Sequence, residues 1–213
     1  MRLFLASYRM GGHTTEFMQL LGAPPGPVAV IANAADAWEP AARASAVVSD
    51  TTPLARLGFA PQEVDLREFI GDPTGLARRL AEFPLCWVRG GNTFVLRAQL
   101  ARSGGDTVLR ELLAADAMMY AGYSAGACVL SPSLRGLEHA DDPADVRRTT
   151  GIEPIWSGLG LIDRPIVPHV DSPLDDPVAV AGVVDRLRAA GPVWALRDDH
   201  AIVIDGATTR LLS

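Results

Sequence analysis

The chain contains no lysine, because all 19 basic residues among its 213 are arginines. A lysine amine is needed for a Schiff base, for pyridoxal phosphate attachment and for a phosphate-loop ATPase, so these chemistries are excluded. The 25 acidic residues give a net charge of −6, which is a poor match to a nucleic-acid backbone. No stretch approaches the roughly 18 apolar residues of a membrane helix. We therefore expect neither a nucleic-acid partner nor a membrane.

Cysteine is also scarce, and the two that occur, Cys86 and Cys128, lie in apolar surroundings. Such thiols are typical of a reducing compartment rather than of a disulfide framework. The apolar run at the N-terminus is too short for the core of a signal peptide. These features predict a cytoplasmic location. The sequence has no His-x-x-x-His, no paired cysteine spacing and no calcium-binding loop, so we expect no metal and no cofactor.

Short apolar runs alternate with longer amphipathic segments along the chain, which predicts an α/β fold with a mainly parallel sheet between two layers of helices. We found no internal repeat and no linker that would divide residues 1–213 into more than one domain. The chain is predicted to end in a hairpin with Asp205-Gly206 at its turn. The other predicted strands are residues 3–6, 28–32, 63–66, 85–88, 118–121, 166–167 and 193–196, and the predicted helices include 40–56, 108–115, 178–189 and a segment that begins at 93.

The most informative motif is Gly122-Tyr123-Ser124-Ala125-Gly126, which follows an apolar strand and precedes a helical segment. Small flanking residues allow the sharp strand-to-helix turn that exposes a nucleophilic serine. The free N–H groups and positive dipole end of the following helix favour a developing oxyanion. The motif also arises by chance in a chain rich in glycine and alanine. The strand before it and the helix after it favour Ser124 as a nucleophile.

A second glycine-rich turn, residues 89–93, has the sequence Arg-Gly-Gly-Asn-Thr and follows another predicted strand. Two glycines let the backbone approach a ligand closely, and the Gly91 N–H would complete an oxyanion hole with the Ala125 N–H. We take Gly91, Asn92 and Ala125 as candidate substrate-binding residues. The alternative is an ordinary turn in which Asn92 or Thr93 caps the next helix.

A serine nucleophile needs a base, and the chain has four histidines. His13 lies in a polar early loop, and His139 lies among acidic residues that favour a charged imidazole, which is a poor base. His169 follows a short apolar strand, from which a loop would deliver it to a serine at the end of the sheet. His200 opens a strand of the final hairpin. The pattern therefore ranks His169 above His200.

The acid that orients the base is less determined by the residues alone. Asp198 and Asp199 lie together at one strand end, whereas Asp171, Asp175 and Asp176 lie in the loop after the predicted base. Each of them is able to hold an imidazole in its working tautomer. Most aspartates, however, are solvated loop residues.

The combination of Gly-Gly-Asn-Thr, then Gly-x-Ser-Ala-Gly-Ala, then Pro-His after a further strand resembles the peptidase E family of aspartyl dipeptidases. The likeness runs over most of the chain. It implies a fold similar to class I glutamine amidotransferases, with a nucleophile at Ser124 and a base at His169. It places the third member of the triad at Asp198, and it implies Gly91 and Ala125 as oxyanion donors.

Two features depart from the pattern of that family. Asp198 stands where the family typically has glutamate, so it orients His169 only if the backbone comes closer. The family's dipeptidases also carry an arginine, suited to a substrate aspartate, in the loop after the base. Here that loop is acidic, and no arginine occurs between Arg164 and Arg186. A pocket lined with carboxylates should repel an aspartyl side chain.

These observations predict a serine hydrolase resembling peptidase E that cleaves small peptides with a triad of Ser124, His169 and Asp198. The sequence leaves room for a homodimer without identifying an interface. One alternative is an α/β-hydrolase-type esterase, in which His200 is the base and one of residues 175–176 is the acid. Another is a non-catalytic binding protein that keeps the turn at the serine for structure.

Overall fold

The computed structural model describes residues 1–173 and 175–213, and nine strands are assigned within them. Seven form one sheet in the order β3-β2-β4-β5-β1-β8-β9, and the other two form a small parallel pair. The first five strands are mutually parallel, whereas β8 and β9 are antiparallel. In chain order the strands are β1 (Arg2–Ala6), β2 (Pro27–Ile31), β3 (Ala60–Glu63), β4 (Leu85–Val88), β5 (Met119–Tyr123), β6 (Ile166–Val167), β7 (Trp194–Ala195), β8 (Ala201–Asp205) and β9 (Thr208–Leu212).

Helices connect the strands, and several begin at signals that the sequence carries. Helices α2, α3 and α8 have proline in their first turn, where the missing N–H costs no hydrogen bond. Asp72 and Asp176 cap α3 and α8 by accepting backbone N–H groups. The helices are α1 (Thr14–Leu21), α2 (Pro40–Arg56), α3 (Pro73–Leu80), α4 (Thr93–Ser103), α5 (Gly105–Ala114), α6 (Ala125–Cys128), α7 (Ala144–Thr150) and α8 (Pro177–Ala190).

The sheet is covered on both faces, as two residues of β2 that point to opposite faces show. Val28 belongs to the apolar cluster that includes Leu54 of α2, whereas Ile31 belongs to the cluster that includes Phe94 of α4. All four side chains are buried. A parallel strand that is buried on both faces reads as a continuous apolar run rather than an alternating one. This is why the short apolar runs in the sequence predicted the strands of a parallel sheet.

The predicted fold class is confirmed: a mainly parallel sheet lies between helices and ends in a C-terminal hairpin. The strand predicted at 63–66 is wrong, because the strand ends at Glu63. The Asp65 side chain accepts the Arg67 N–H and starts a 3₁₀ turn over 66–69. Helices α1, α3 and α7 were not predicted as such.

Parallel strands bring their carboxyl ends to one edge of the sheet, where α/β proteins place their ligands. The loops after β1, β4 and β5 therefore meet there. These loops contain Ser7, the glycine-rich turn at 89–93 and Ser124. Among the described residues, none of the helices has the length and apolar character needed to cross a membrane.

Candidate active site

Ser124 occupies a sharp turn between β5 and α6. Its φ of 49° and ψ of −118° place a non-glycine residue in a region that side chains disfavour. The turn is held at both ends. The Ser124 N–H donates to the Ala6 carbonyl at 3.1 Å, and the Ser124 carbonyl accepts the N–H groups of Ala127 and Cys128.

The two glycines of the motif are required by close approach of backbone segments. A Cβ on Gly126 would lie 2.1 Å from the Val88 carbonyl oxygen, at the end of β4. A Cβ on Gly122 would lie 2.4 Å from the Gly126 carbonyl oxygen. Either contact is far shorter than van der Waals distance, so β5 and α6 pack in this way only with glycine at both positions.

The three residues of the predicted triad lie in one hydrogen-bonded chain. Ser124 Oγ lies 3.1 Å from Nε2 of His169, and Nδ1 of the same ring lies 2.7 Å from Oδ1 of Asp198. In the tautomer with its proton on Nδ1, the ring donates a hydrogen bond to the carboxylate and directs its Nε2 lone pair at the serine hydroxyl. Ser172 Oγ donates to the second oxygen of Asp198 at 2.5 Å.

His169 is supported by a residue that the sequence analysis missed. Its N–H donates to Ser7 Oγ at 2.8 Å, and Ser7 Oγ donates to the Leu196 carbonyl at 3.4 Å. Ser7 is fully buried at the end of β1. Ser7 therefore joins the loop that carries His169 to the strand end that precedes Asp198. His169 itself has a φ of 60°. No local motif around Ser7 pointed to this role.

The neighbours of Asp198 have other partners. Nε2 of His13 lies 2.7 Å from the Asp199 carbonyl oxygen, so the early loop braces the turn that carries Asp198. The Asp199 carboxylate is largely exposed and lies 3.8 Å from Nε2 of His200. Nδ1 of His200 is buried without a hydrogen-bond partner among the described residues. The structure therefore pairs Ser124 with His169 and not with His200.

The glycine-rich turn at 89–93 packs against the 3₁₀ turn over 33–35. Gly91 has a φ of 145°, and a Cβ on it would lie 2.5 Å from the Ala34 carbonyl oxygen. Within the described chain, the Gly91 N–H has no hydrogen-bond acceptor. Ala125 is the first residue of α6, so its N–H has no acceptor within the helix. Neither N–H donates to an acceptor among the described residues.

Asn92 has a structural role in this turn. Its Oδ1 caps α4 by accepting the N–H groups of Phe94 and Val95, and its Nδ2 donates to the Asp142 carbonyl and to Asp145. These contacts occupy a side chain that is 6% exposed. The capping alternative therefore describes its side chain, in place of the predicted substrate contact.

A buried carboxylate on α2 joins the two strand ends beside the site, and sequence reasoning missed it. Asp50 accepts hydrogen bonds from Arg89 Nε at 2.8 Å, from Trp87 Nε1 at 3.1 Å and from the Tyr123 hydroxyl at 3.1 Å. Burial raises the pKa of Tyr123, and the Asp50 charge raises it further, so the phenol stays protonated and donates. Arg89 precedes the two glycines, and Tyr123 precedes Ser124.

A cavity of about 220 Å³ opens beside the serine. Its lining includes Gly91, Ser124 and His169, together with the carboxylates of Asp141 and Asp175. A larger cavity, of about 630 Å³, borders Asp198 on another side, but neither the serine nor the histidine lines it. The smaller cavity is therefore the candidate active site.

The cysteine in the smaller cavity is a poor rival nucleophile. Cys128 lines the cavity four residues after Ser124. Burial raises the pKa of its thiol well above the usual range, so the sulfur stays protonated. A protonated, buried thiol is a weaker candidate nucleophile than the Ser124 hydroxyl.

Comparison with known proteins places the chain in a family. The model of peptidase family S51 matches residues 40–212. The chain belongs to peptidase family S51. Residues 40–212 contain Asp50, the glycine-rich turn, Ser124, His169 and Asp198.

Individual relatives agree with the assignment to family S51. An uncharacterized peptidase of Listeria monocytogenes is 28% identical over 155 residues, which cover 72% of this chain and 71% of the relative. An uncharacterized peptidase of Pasteurella multocida is 28% identical over 160 residues, with 72% and 73% covered. Another from Listeria innocua is 32% identical over 119 residues, with 56% and 54% covered.

Solved structures share the fold of this S51 member. A crystal structure of a candidate peptidase E from Listeria monocytogenes superposes with a TM-score of 0.79 at 25% identity, covering 100% of this chain and 98% of that one. A peptidase from an acI-B1 actinobacterium gives a TM-score of 0.71 at 17% identity, covering 100% and 87%. The first likeness supports the peptidase E resemblance, and the second shows the fold alone.

Proposed function

We propose that this S51 member is a serine peptidase that hydrolyses small peptides, with Ser124 as nucleophile, His169 as base and Asp198 as the acid that orients the base. One observation carries the proposal: the hydrogen-bonded chain that links these three side chains and begins at a serine with positive φ. A disfavoured backbone conformation at a cavity-lining nucleophile is characteristic of functional sites.

In the proposed mechanism, Ser124 Oγ attacks the carbonyl carbon of the scissile bond while its proton moves to Nε2 of His169. Asp198 stabilises the imidazolium that forms. The N–H groups of Gly91 and Ala125 donate to the oxyanion of the tetrahedral intermediate. The imidazolium then protonates the leaving amine, and water releases the acyl group with the same histidine acting as base.

The nature of the substrate is supported by the family and by the size of the site. Membership in a peptidase family favours an amide bond, and a cavity of about 220 Å³ suits a short peptide. Both cysteines, Cys86 and Cys128, are free and buried, which agrees with the proposed cytoplasmic location.

The first test is labelling with a fluorophosphonate, which reacts with activated serines. We expect the wild-type protein to be labelled, Ser124→Ala to be unlabelled and His169→Ala to be labelled at least about a hundredfold more slowly. His200→Ala is the matched control, and we expect its labelling to stay near the wild-type rate. Undiminished labelling of Ser124→Ala would overturn the nucleophile, and loss of labelling only in His200→Ala would favour the esterase alternative.

The second test is hydrolysis of dipeptides that differ in their first residue: Asp-Leu, Glu-Leu, Ala-Leu and Arg-Leu. We expect cleavage of at least one of them by the wild-type protein and none by Ser124→Ala. A labelled serine without hydrolysis of any dipeptide would contradict dipeptidase activity and leave the nucleophile intact. A protein that is neither labelled nor active would favour the non-catalytic alternative.

A further inference from the structure

We propose that the cavity beside Ser124 binds an organic cation, an ammonium or guanidinium group, carried by the residue that acylates the serine. This inference rests on the proposed function and names its substrate class. It reverses the charge preference that the peptidase E resemblance implies, because an aspartyl side chain is an anion.

The lining of the cavity contains two carboxylates and, as its only basic side chains among the described residues, the imidazoles of His139 and His169. Asp141 and Asp175 both line it, and within the described chain no arginine does. Among the described residues, neither Asp141 nor Asp175 forms an ion pair, whereas the neighbouring Asp142, Asp145 and Asp171 each pair with an arginine. The nearby Arg148 is bound to Asp142 and Asp145 instead.

Asp141 is held in a fixed orientation and has hydrogen-bond acceptor positions that its protein partners do not use. One of its oxygens accepts the Thr93 N–H at 2.8 Å, at the start of α4. A carboxylate has about four acceptor positions, so the Thr93 N–H and the Thr93 side chain together leave others for a ligand. Thr93 lines the same cavity, two residues after Gly91. The carboxylate and the expected oxyanion donor therefore belong to one rigid turn.

The surroundings of Asp141 favour a cation over a second anion. Burial is the largest cause that raises its pKa and the Asp175 charge adds to it, whereas hydrogen bonds from the Thr93 side chain and N–H and the His139 imidazole lower it, and the net pKa is about 6. The His139 imidazole lies nearby, and its Nδ1 hydrogen-bonds to the Gly136 carbonyl. A substrate carboxylate would add a further like charge to this group, whereas an ammonium group would form charge-assisted hydrogen bonds with it.

The cation has two possible sources in a peptide, a lysine or arginine side chain and a free α-amino group. Diphenyl phosphonate analogues of amino acids separate them. The serine oxygen displaces one phenolate from phosphorus. The rate of inactivation therefore depends on the reactivity of the serine and on how well the cavity binds the analogue, and no turnover is needed. We would compare lysine, norleucine and aspartate analogues, each with a free and an acetylated amine. Norleucine matches the lysine chain without its charge.

We expect each added cation that reaches the cavity to raise the second-order rate of inactivation about tenfold or more, and the aspartate analogue to be slowest. A difference between lysine and norleucine in the acetylated series would assign the cation to the side chain. A difference confined to the free amines would assign it to the α-ammonium group. Asp141→Asn should remove the gain, because the amide keeps an acceptor for Thr93 but loses the charge.

Asp142→Asn is the matched control, because its carboxylate is adjacent in sequence but does not line the cavity. It should keep the cation preference, and Asp175→Asn gives a second cavity variant if Asp141→Asn does not fold. Equal rates for all analogues, or a preference for aspartate, would overturn the proposal while leaving a reactive Ser124. Failure of every phosphonate and of a simple fluorophosphonate to label Ser124 would contradict the proposed function itself, and the cation proposal with it.

Discussion

Oδ1 of Asp198 lies 2.7 Å from Nδ1 of His169, although aspartate is one methylene shorter than the glutamate that the family resemblance implies. His13 holds the carbonyl of the next residue, Asp199, and a Cβ on Gly11 would lie 2.7 Å from that same oxygen. The early loop therefore presses closely on the turn that carries the acid. These contacts fix the turn from which the Asp198 carboxylate reaches the histidine.

Asp198→Asn should reduce kcat by about a thousandfold or more, because an amide stabilises neither the working tautomer nor the imidazolium. Asp199→Asn is the control, and its exposed side chain predicts nearly unchanged kcat. The measurement is steady-state hydrolysis, with circular dichroism to check that each variant is folded. An inactive Asp199→Asn beside an active Asp198→Asn would assign the orienting acid to Asp199 in place of Asp198.

Ser7→Ala should lower kcat with little change in KM, because Ser7 positions the His169 backbone and is not among the described residues that line the cavity beside Ser124. The loss of its hydrogen bonds should reduce the free energy of unfolding by about 1 kcal/mol. Ser103→Ala is a matched control, since its buried hydroxyl donates to the Gln99 carbonyl within α4. The control should lose similar stability at unchanged kcat, and a parallel loss of kcat in both variants would argue against a positioning role for Ser7.

Asp50→Asn should reduce the free energy of unfolding by about 3 kcal/mol or more, because it leaves the Arg89 guanidinium buried without its charged partner. It should also slow fluorophosphonate labelling of Ser124, since Asp50 joins the ends of β4 and β5. Urea unfolding and labelling rates measure the two effects. Asp185→Asn, on the exposed side of α8, should change neither, and a stable Asp50→Asn would show that the buried pair contributes little.

The sequence predicted the parts of the site that short motifs determine. The turn at Ser124 and the glycines around it are local, because the backbone contacts that exclude a side chain follow from the motif itself. His169 was found from its strand end, and Asp198 only through the family resemblance. Ser7 and Asp50 were missed because their partners lie far away in the sequence, and nothing in their neighbours marks them.

Some errors in the fold have equally local causes. The strand predicted at 63–66 failed because the Asp65 side chain replaces a strand hydrogen bond with a turn. Helix α3 contains Gly75, which weakens a helical pattern, yet Asp72 and the proline after it start the helix. Hydrogen bonds from the Asp65 and Asp72 side chains to nearby N–H groups therefore decided these segments.

Gly126→Ala should destabilise the protein by about 3 kcal/mol or more, because its Cβ would lie 2.1 Å from a carbonyl oxygen that cannot move without distorting β4. The same clash should displace the turn that carries Ser124, so labelling should fall as well. Gly26→Ala is the control, because no atom lies within 4 Å of the added Cβ. Thermal unfolding of both variants is the measurement, and equal stability would show that the turn tolerates a side chain.

Asp141→Asn tests the charge in the cavity through the pH dependence of stability. The pKa of Asp141 is raised to about 6, mainly by burial, whereas an unfolded chain has a value of about 4. Between these values the folded chain binds more protons than the unfolded chain, so the wild-type protein loses stability as pH rises from 4 through 6. The asparagine variant lacks this loss. Its stability relative to wild type should therefore increase by roughly 2 kcal/mol between pH 4 and pH 7.

Asp142→Asn provides a control of opposite sign. The Ala144 N–H and Arg148 lower the pKa of the exposed Asp142 carboxyl, so its stabilising effect is present at neutral pH and is lost as pH falls. The Asp142→Asn variant should therefore lose stability relative to wild type as pH rises, where Asp141→Asn gains. Urea titrations of the three proteins at pH 4, 5, 6 and 7 measure both trends. A relative stability of Asp141→Asn that is constant with pH would mean that the carboxyl titrates as in water, and the cavity would then lack the buried charge that a cation is proposed to meet.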